Sequence, residues 1–292
     1  MTVVVVGAGI AGLACARELL DAGVPTRVLE RLPGPGGRLT SDWIGNRWAD
    51  TGAAYLTADD PAFLGRLQSW RIAGLARPWT DTFRGQHGPA ALRWSAPGGL
   101  RTLAADLARE LDITYGVEVA ELPREKRENA VVLAMPGPQA LRIADLPAAR
   151  EQSWSPAVTA VLTYPERLWP DFAGAFVNDH PVLSTVCDDG DRRGDRAPVL
   201  VAHSTATFAK EYVHGDPGPA MARAVGELLG IGGEPEVTVR YWPQAQPKPG
   251  HGAFAVHDGV YLCGDAFGRP RVQTAWLSGR AVARKILQST DR

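Results

Sequence analysis

Three early glycines have the spacing of a phosphate-binding turn. Gly7, Gly9 and Gly12 follow the apolar run Val3–Val6, and apolar residues at helical spacing come directly after them. Such a turn brings backbone N–H groups and the positive end of a helix dipole close to the phosphates of a nucleotide. Glu30 ends the next apolar run about 20 residues later, where a carboxylate can accept hydrogen bonds from a ribose diol. The pattern predicts a dinucleotide-binding βαβ unit.

A second glycine-rich segment follows Glu30 and Arg31 closely. Gly36 and Gly37 would let this loop pass near a pyrophosphate, and Arg38 can neutralise phosphate charge. A surface turn with a solvated arginine would have the same composition. These residues alone leave both NAD and FAD open as the dinucleotide.

A similar order of apolar strand, glycine-containing turn and helix is predicted near residue 260. A short apolar strand, predicted over Gly259–Cys263, leads into Gly264 and Asp265, and a long helix is predicted over Val272–Gln288. Gly264 allows a ligand to approach the backbone, and Asp265 can accept a hydrogen bond from a sugar-chain hydroxyl. A turn capped by the aspartate is the alternative, but the order of strand, Gly-Asp and helix favours contact with a cofactor.

Composition limits the class of protein. The 292 residues are 45% hydrophobic with a formal net charge of −1, which predicts a globular protein that binds neither nucleic acid nor an anionic membrane. Cysteines without paired spacing argue against a disulfide framework or a metal site. The chain enters a strand at once and has no long apolar run, so we expect a cytoplasmic protein without a signal peptide or membrane span. Nothing in the sequence indicates the oligomeric state.

The remaining segments fall into two groups that differ in their predicted secondary structure. Buried strands and amphipathic helices are predicted up to about residue 138, and short strands separated by Pro, Gly and Asp turns follow to about residue 256. The short strands and turns of the second group favour an antiparallel sheet in a substrate-side domain. The charged segment Asp188–Arg196 is interpreted as a solvated hairpin loop. The predicted strands are Thr26–Leu29, Asp42–Trp48, strands within 75–96, Ile113–Val119, Asn129–Met135, Ala157–Tyr164, Ala173–Val177, Val182–Cys187, Val199–His203 and Glu236–Trp242, and the predicted helices are Pro61–Trp70, Arg101–Glu110, Ala206–Val213 and Pro219–Leu229.

Several segments together resemble the FAD-dependent amine oxidase superfamily. They are GAGIAGLACARELLDAGVPTRVLE (7–30), GGRLT (36–40), DTGAAYLT (50–57), YLCGDAF (261–267) and TAWLSGRAVA (274–283). Within that superfamily the chain is most similar to the bacterial renalases, through VAHST (201–205), RYWPQAQP (240–247) and GDAFGRPRV (264–272). The resemblance extends over nearly the whole chain.

The resemblance implies the fold class. It is an α/β protein in which an FAD-binding Rossmann-like domain of the glutathione-reductase type is interleaved with a smaller α+β substrate domain that has an antiparallel sheet. The FAD-binding domain would consist of residues 1–75, 97–137 and 258–292, and the substrate domain of residues 76–96 and 138–257. The final helix would point its N-terminus at the N1–C2=O edge of the flavin, where a reduced flavin carries negative charge.

The motifs and the resemblance together give the expected cofactor-binding residues. Val119 would contact the adenine through its backbone. No flavin-linking cysteine is matched by position, which implies FAD held without a covalent bond. The full set is Gly7, Gly9, Ala11, Gly12, Glu30, Arg31, Gly37, Arg38, Ala54, Tyr55, Val119, Gly264, Asp265, Val272 and Thr274.

The resemblance also implies the chemistry. A small donor would give a hydride to the flavin, and O2 would take the electrons to form H2O2. The renalase-like donor is a 2- or 6-dihydro isomer of NAD(P)H, whose ring becomes aromatic as the hydride leaves, so no catalytic base is assigned. Tyr55, His203 and Trp242 are the candidates for the substrate pocket, Trp242 through a stacking face. A core position for Trp242 and a packed, hydrogen-bonded role for His203 are the alternatives.

Three other functions stay open. An FAD-dependent amine oxidase or desaturase of a small metabolite would be favoured by a lysine near the flavin, and Lys248, beside the predicted pocket strand, is the candidate. A non-catalytic FAD-binding redox sensor belongs to a different class of protein. An NAD-only dehydrogenase fits least, because it leaves Arg38 and the helix after Asp265 without a role.

Overall fold

The structure is a computed structural model that describes residues 2–89, 91–122, 130–212 and 215–290. Its strands are β1 Val3–Val6, β2 Thr26–Glu30, β3 Ser41–Ile44, β4 Arg47–Asp50, β5 Arg77–Thr80, β6 Arg93–Ser95, β7 Asp112–Tyr115, β8 Ala130–Leu133, β9 Trp154–Thr163, β10 Gly174–Phe176, β11 Leu183–Asp188, β12 Val199–Ser204, β13 Glu236–Pro247, β14 Ala255–His257 and β15 Val260–Leu262. Its α-helices are α1 Ile10–Asp21, α2 Pro61–Ile72, α3 Arg101–Leu107, α4 Gly137–Ala140, α5 Pro147–Arg150, α6 Asp189–Arg193, α7 Ala206–Glu211, α8 Gly218–Leu229 and α9 Val272–Thr290, and Gly37–Leu39 forms a short 3-10 helix.

A six-stranded, mostly parallel sheet carries the first glycine turn. Its order is β14-β15-β8-β1-β2-β7, and only the pairing of β14 with β15 is antiparallel. β1 lies between β8 and β2 with every valine buried. Val3 and Val5 contact the layer of α1 and α9, whereas Val4 and Val6 pack toward α4 and α5. A continuous β-branched run suits a central strand that is covered on both faces.

Helices α1 and α9 cross at very short range. A Cβ built on Gly279 of α9 would come 1.9 Å from the carbonyl oxygen of Ala11 in α1. No side chain fits in that space, so glycine allows the two backbones to approach each other. The crossing holds the last helix against the first nucleotide-binding helix.

The second sheet is antiparallel, with the order β10-β11-β12-β9-β13. Phe208 of α7 and Met221 of α8 belong to the apolar layer on one face. The opposite face meets the β3–β4 hairpin in a small apolar cluster of Ile44, Ala49, Val161, Val199 and Val201. This contact directs the segment that follows β4 along the second sheet.

These observations confirm the predicted fold class, a Rossmann-like parallel sheet with an additional antiparallel sheet. The division into residues 1–75, 97–137 and 258–292 against 76–96 and 138–257 stays a prediction. The start of the strand predicted over Asn129–Met135 and the end of the helix predicted over Ala206–Val213 lie outside the described residues.

Two predicted strands are wrong in extent. The segment Asp42–Trp48 is part of a hairpin rather than one strand, and it turns at Gly45, whose φ is 59°. The strand predicted over Ile113–Val119 ends at Tyr115, because Gly116 leaves the extended region with a φ of 73°. In both cases one glycine in the left-handed region ends the strand.

The prediction of a solvated hairpin loop over Asp188–Arg196 is wrong. β11 runs to Asp188, α6 follows, and Asp188, Asp189 and Arg192 are buried. The charges are compensated by partners distant in sequence, such as Arg47, 142 residues from Asp189. Local composition cannot reveal such compensation, because a charged run is most often solvated.

Candidate functional site

The glycine turn after β1 combines tight packing with one open position. A Cβ on Gly7, whose φ is 106°, would come 2.6 Å from the carbonyl oxygen of Ala134, and one on Gly12 would come 2.0 Å from the carbonyl oxygen of Gly7. By contrast, no atom lies within 4 Å of the position that a Cβ on Gly9 would take. Gly9, at the N-terminus of α1, therefore leaves the space that a phosphate group needs.

Glu30 lies beside this turn at the end of β2. Its carboxylate is buried and accepts hydrogen bonds from the backbone N–H groups of Ala8, at 2.6 Å, and Leu32, at 2.9 Å. These bonds fix the carboxylate, and each oxygen keeps a lone pair for a further donor. The position fits a ribose diol. Arg31 is exposed.

The second glycine-rich loop crosses the first. The N–H of Gly36 donates to the carbonyl oxygen of Ala8 at 2.9 Å, and Gly36 forms a parallel bridge with Gly9. A Cβ on Gly37 would come 3.4 Å from the Cα of Gly9. The two loops meet backbone to backbone at the open position of the turn.

Arg38 and Asp265 are paired with each other. Nη1 and Nη2 of Arg38 donate to the two carboxylate oxygens of Asp265 at 2.9 and 2.5 Å. Nη1 also donates to the carbonyl oxygen of Ala245, and the guanidinium lies 4.9 Å from the ring centre of Trp154. The sequence assigned Arg38 to a phosphate and Asp265 to a sugar hydroxyl; the structure adds a direct bidentate link between the second loop and the Gly-Asp turn.

The Gly-Asp turn is held from the last helix. Gly264 has a φ of 152°, its N–H donates to Oγ of Ser278, and no atom lies within 4 Å of the position of a Cβ. Ser278 in turn donates to the carbonyl oxygen of Ala253. Gly264 is thus a second position with open space next to the backbone.

The first turn of α9, which starts at Val272, is anchored by side chains. Oε1 of Gln273 accepts from the N–H groups of Asp59 and Asp60, and its Nε2 donates to Asp59. Hydrogen bonding to Arg271 is the main cause that lowers the pKa of Asp59 below its ordinary value. Neither Gln273 nor its partner Asp59 was predicted as a site residue from the sequence.

Thr274 and Val119, both expected at the cofactor, have separate surroundings. Oγ1 of Thr274 donates to the carbonyl oxygen of Arg269 at 2.6 Å. Val119 is half-buried after β7 and packs against the apolar cluster on the α4 side of the parallel sheet. Ala11 lies in the first turn of α1.

Side chains of the antiparallel sheet hold the backbone of the segment after β4. The carbonyl oxygen of Thr51 accepts from Oγ1 of Thr159 at 2.7 Å and from Nε1 of Trp242 at 2.8 Å. The carbonyl oxygen of Gly52 lies 2.9 Å from Nε2 of His203. Because a carbonyl oxygen can only accept, we assign the imidazole proton to Nε2.

His203 is neutral in this position. Burial lowers its pKa below the ordinary value, and the charge of Arg192 acts in the same direction, while the hydrogen bond to Gly52 opposes both. Trp242 has the guanidinium of Arg240 over its ring at 4.4 Å. One face of the indole is therefore covered, and its N–H is committed to the backbone.

Arg192 fixes the next carbonyl of the same segment. It is only 1% exposed, and Nη1 donates to the carbonyl oxygen of Ala54 at 2.6 Å. The sequence gave no signal for this role, because Arg192 lies in the segment interpreted as solvated.

Carboxylates compensate the charge of Arg192 and its neighbour. Arg192 contacts Asp189, and Arg193 contacts both Asp189, at 3.1 Å, and Asp50, at 3.2 Å. Burial opposes the ionisation of Asp189, but the charges of Arg192, Arg193 and Arg47 outweigh it and hold the pKa below its ordinary value. We call Arg47, Asp50, Asp189, Arg192 and Arg193 the buried ion cluster.

Tyr55, the next residue along, belongs to an aromatic group. Its ring centre lies 5.5 Å from Phe83 and 6.5 Å from Trp79, and Phe83 lies 5.2 Å from Phe176. Burial raises the pKa of the Tyr55 phenol, and Arg93 partly offsets that effect. Tyr55, Trp79, Phe83 and Phe176 with Arg93 form what we call the aromatic box.

Lys248, the remaining pocket candidate, has an exposed side chain, and its backbone N–H donates to the carbonyl oxygen of Ser153.

Within the ranges that the structure describes, no group of three or more His, Cys, Asp or Glu side chains could hold a metal ion. Across the same ranges, no helix has the length and apolar character needed to cross a membrane.

Comparisons with known proteins extend these findings. Residues 5–70 match the family model of the NAD(P)-binding Rossmann-like domain. The structure is similar to that of a putative protoporphyrinogen oxidase from Exiguobacterium sp. 255-15, with a TM-score of 0.76, 13% identity and 99% of each chain covered. It is equally similar to a putrescine oxidase variant from a structure-based redesign of cofactor binding, with a TM-score of 0.76, 16% identity, and 99% of this chain and 100% of that chain covered. The chain therefore has the fold of these oxidases.

Part of the chain is similar to a curated relative. It is the tRNA 5-methylaminomethyl-2-thiouridine biosynthesis bifunctional protein MnmC of Marinobacter nauticus, which is 27% identical over 188 residues, or 64% of this chain. The match covers 25% of that relative, so this chain spans about a quarter of its length.

Proposed function

We propose that this protein is an FAD-dependent oxidase of the amine oxidase superfamily that takes a hydride from a small donor and passes the electrons to O2, giving H2O2. One observation carries the proposal: the glycine turn, the second glycine-rich loop and the Gly-Asp turn meet, and open space lies beside Gly9 and Gly264. The match to a Rossmann-like family model and the fold shared with two oxidases support it.

The residues present fit FAD bound without a covalent link. Gly9 and the N-terminus of α1 would hold the pyrophosphate, Glu30 the ribose, and Asp265 the sugar chain. The three cysteines are buried and free. When bound, FAD would supply a hydride acceptor that oxygen can reoxidise.

The chain would contribute orientation and electrostatics to this chemistry. The N-terminus of α9, held by Gln273, would favour negative charge by about 0.3–1 kcal/mol at an exposed site and by more when buried. Hydrogen bonds from Trp242, His203 and Arg192 fix the carbonyls of residues 51, 52 and 54, so this backbone would keep its place beside the ring system without reorganisation.

The donor we propose is a 2- or 6-dihydro isomer of NAD(P)H. Hydride loss makes its ring aromatic, so the reaction needs no side chain that removes a proton. The surroundings of His203 support this choice, because its Nε2–H is committed to Gly52 and burial lowers its pKa, which makes the ring a weak base. The segments VAHST, RYWPQAQP and GDAFGRPRV, similar to bacterial renalases, support it as well.

Oxidation of an amine is the second candidate. The fold shared with a putrescine oxidase favours it. The exposed side chain of Lys248 offers little support, because a lysine that acts at a flavin must lie inside the site.

The test begins with the absorbance spectrum of the purified protein. We expect a flavin spectrum, and FAD in the supernatant after heat denaturation, because no covalent link is formed. Protein without flavin that binds NAD would contradict the proposal.

Anaerobic stopped-flow mixing with 2- and 6-dihydro isomers of NAD(P)H, and in parallel with primary and secondary amines, then identifies the donor. Bleaching by the isomers alone supports the repair of misreduced nicotinamide, and bleaching by amines alone supports the second candidate.

A further inference from the structure

The aromatic box encloses a guanidinium. Arg93 is only 4% exposed, and its Cζ lies 4.1 Å from the ring centre of Phe83, 5.2 Å from Tyr55 and 5.4 Å from Phe176. Ring faces carry negative potential and attract a cation. The box is therefore already filled by a positive charge of the chain itself.

The hydrogen bonds of Arg93 all go to neutral acceptors. Nη2 donates to Oε1 of Gln86 at 2.8 Å, and Nη1 donates to the carbonyl oxygens of Asp81 and Ala91 at 3.0 and 3.4 Å. Its Nε–H is buried without an acceptor. Over the ranges described, Arg93 forms no ion pair with a carboxylate, so only rings and neutral oxygens stabilise its charge.

A buried charge without a counter-ion is costly, and a nearby anion relieves that cost. Buried sites also screen charge weakly, so a guanidinium acts on groups beyond the ring that covers it. The anion does not come from the described parts of this chain. An anionic group of a ligand would supply it.

The box adjoins the proposed flavin position. Tyr55 directly follows Ala54, whose carbonyl Arg192 fixes. Trp79 is tied to the same helix α6, because its Nε1 donates to Asp191 at 2.7 Å. The guanidinium is therefore held at a defined place next to residues 54–55.

We propose that Arg93 makes the donor side of the site selective for a molecule that carries an anionic oxygen group, a phosphate or a carboxylate, over a cationic amine. This inference rests on the proposed function, because the box faces a donor only if the flavin lies along residues 54–55. It deepens that function by assigning the class of donor to a residue.

The first test measures equilibrium binding and does not depend on turnover. Wild-type holoprotein and the Arg93→Met and Arg93→Lys variants are titrated with benzoate and with benzamide, two flat rings that differ in charge. Flavin absorbance and tryptophan fluorescence report binding. We expect wild type to bind benzoate about tenfold more tightly than benzamide, Arg93→Met to lose this ratio, and Arg93→Lys to keep most of it.

Arg84 provides the matched control. It lies in the same segment and stacks on Phe172 at 5.1 Å, but it is exposed. Arg84→Met removes the same charge, and we expect it to leave the benzoate-to-benzamide ratio unchanged. If Arg93→Met does not fold, Arg93→Gln, which keeps an amide donor toward Gln86, is measured in its place.

The second test asks whether a phosphate on the donor is recognised. Anaerobic reduction is compared for the 6-dihydro forms of nicotinamide mononucleotide and of nicotinamide riboside, which differ by the phosphate. We expect a lower half-saturating concentration for the mononucleotide in wild type, and similar values for both donors in Arg93→Met.

Several outcomes would overturn the inference. Equal affinities for benzoate and benzamide in wild type, a ratio that Arg93→Met leaves unchanged, or a protein that binds neither ring and is reduced by neither donor would each do so. Failure of the proposed donor looks different: the protein would prefer benzoate through Arg93 and yet be reduced by no dihydronicotinamide.

Discussion

Two buried arginines contact neighbouring residues of one segment and keep their charge by different means. Arg192 donates to the carbonyl of Ala54 and is paired with Asp189 in the buried ion cluster. Arg93 lies against the ring of Tyr55 and has aromatic rings and neutral oxygens around it. The first charge is matched by carboxylates, and the second is not.

The difference separates two tasks. A matched guanidinium donates strong, directional hydrogen bonds and exerts little net field, which suits it to fix a backbone. An unmatched guanidinium keeps its attraction for an anion, which suits it to select a ligand. The two regions therefore divide positioning and selectivity between arginines of similar burial.

The largest effect is expected at the carboxylate of the ion cluster. Asp189→Asn leaves Arg192, Arg193 and Arg47 without a common counter-ion, and removing one partner of a buried pair lowers the free energy of unfolding by about 3–5 kcal/mol. Urea denaturation measures this loss. Asp195→Asn removes a half-exposed carboxylate 3.2 Å from Arg47 and should lower it by less than about 1 kcal/mol. Equal losses would mean that solvent, rather than Asp189, compensates the cluster.

The next effect concerns the cofactor. Arg192→Met removes a hydrogen bond from a charged donor to Ala54, a bond that contributes about 1.5–3 kcal/mol, so we expect the Kd for FAD to rise roughly tenfold or more. Recovery of flavin fluorescence on dilution measures the Kd. Arg167→Met removes a cation from buried Asp188 without touching residues 51–55. This control should lose stability and keep the FAD affinity; a parallel loss of both would assign Arg192 to stability alone.

A smaller loss of stability is expected at the aromatic box. Arg93→Met leaves no carboxylate unpaired and removes the cost of a buried charge, so the lost hydrogen bonds and ring contacts should lower the free energy of unfolding by at most about 1–2 kcal/mol. The same urea experiment measures it. A loss as large as that of Asp189→Asn would break the comparison, because it would reveal a counter-ion for Arg93.

The smallest effect is a pH dependence at His203. Because its pKa in the folded protein is lowered, its contribution to stability is present above the unfolded pKa of about 6.5 and is lost as the pH falls below it. His203→Gln keeps a donor for Gly52 and should reduce the slope of stability between pH 7 and 5 by at most about 1.4 kcal/mol per pH unit.

Much of the fold could be predicted from local sequence motifs. Gly7 and Gly12 meet atoms of their own unit or of an adjacent strand, and the Val3–Val6 run reports burial on both faces. Such features depend on neighbours in sequence or on one sheet, so spacing reveals them. The βαβ unit followed from them, the antiparallel sheet followed from the change in composition after residue 138, and the interleaved fold class was implied by the resemblance to the amine oxidase superfamily.

Long-range pairs could not be read from the sequence. The link between Arg38 and Asp265 spans 227 residues, and Gln273 meets Asp59 across 214. Arg192 is indistinguishable from a surface arginine until Asp189 and Arg47 are brought beside it. A compensated charge and a solvated charge have the same composition, and only the fold tells them apart.

The crossing of α1 and α9 has a consequence for biosynthesis. Gly279 lies against Ala11, so the helix that begins nucleotide binding is covered by a segment that the ribosome makes long after it. Until that segment has been synthesised, the apolar side of α1 has no helix to pack against, although the glycine turn has already been made. We expect the nascent chain to acquire its cofactor only after translation of α9, with chaperones shielding the gap in the meantime.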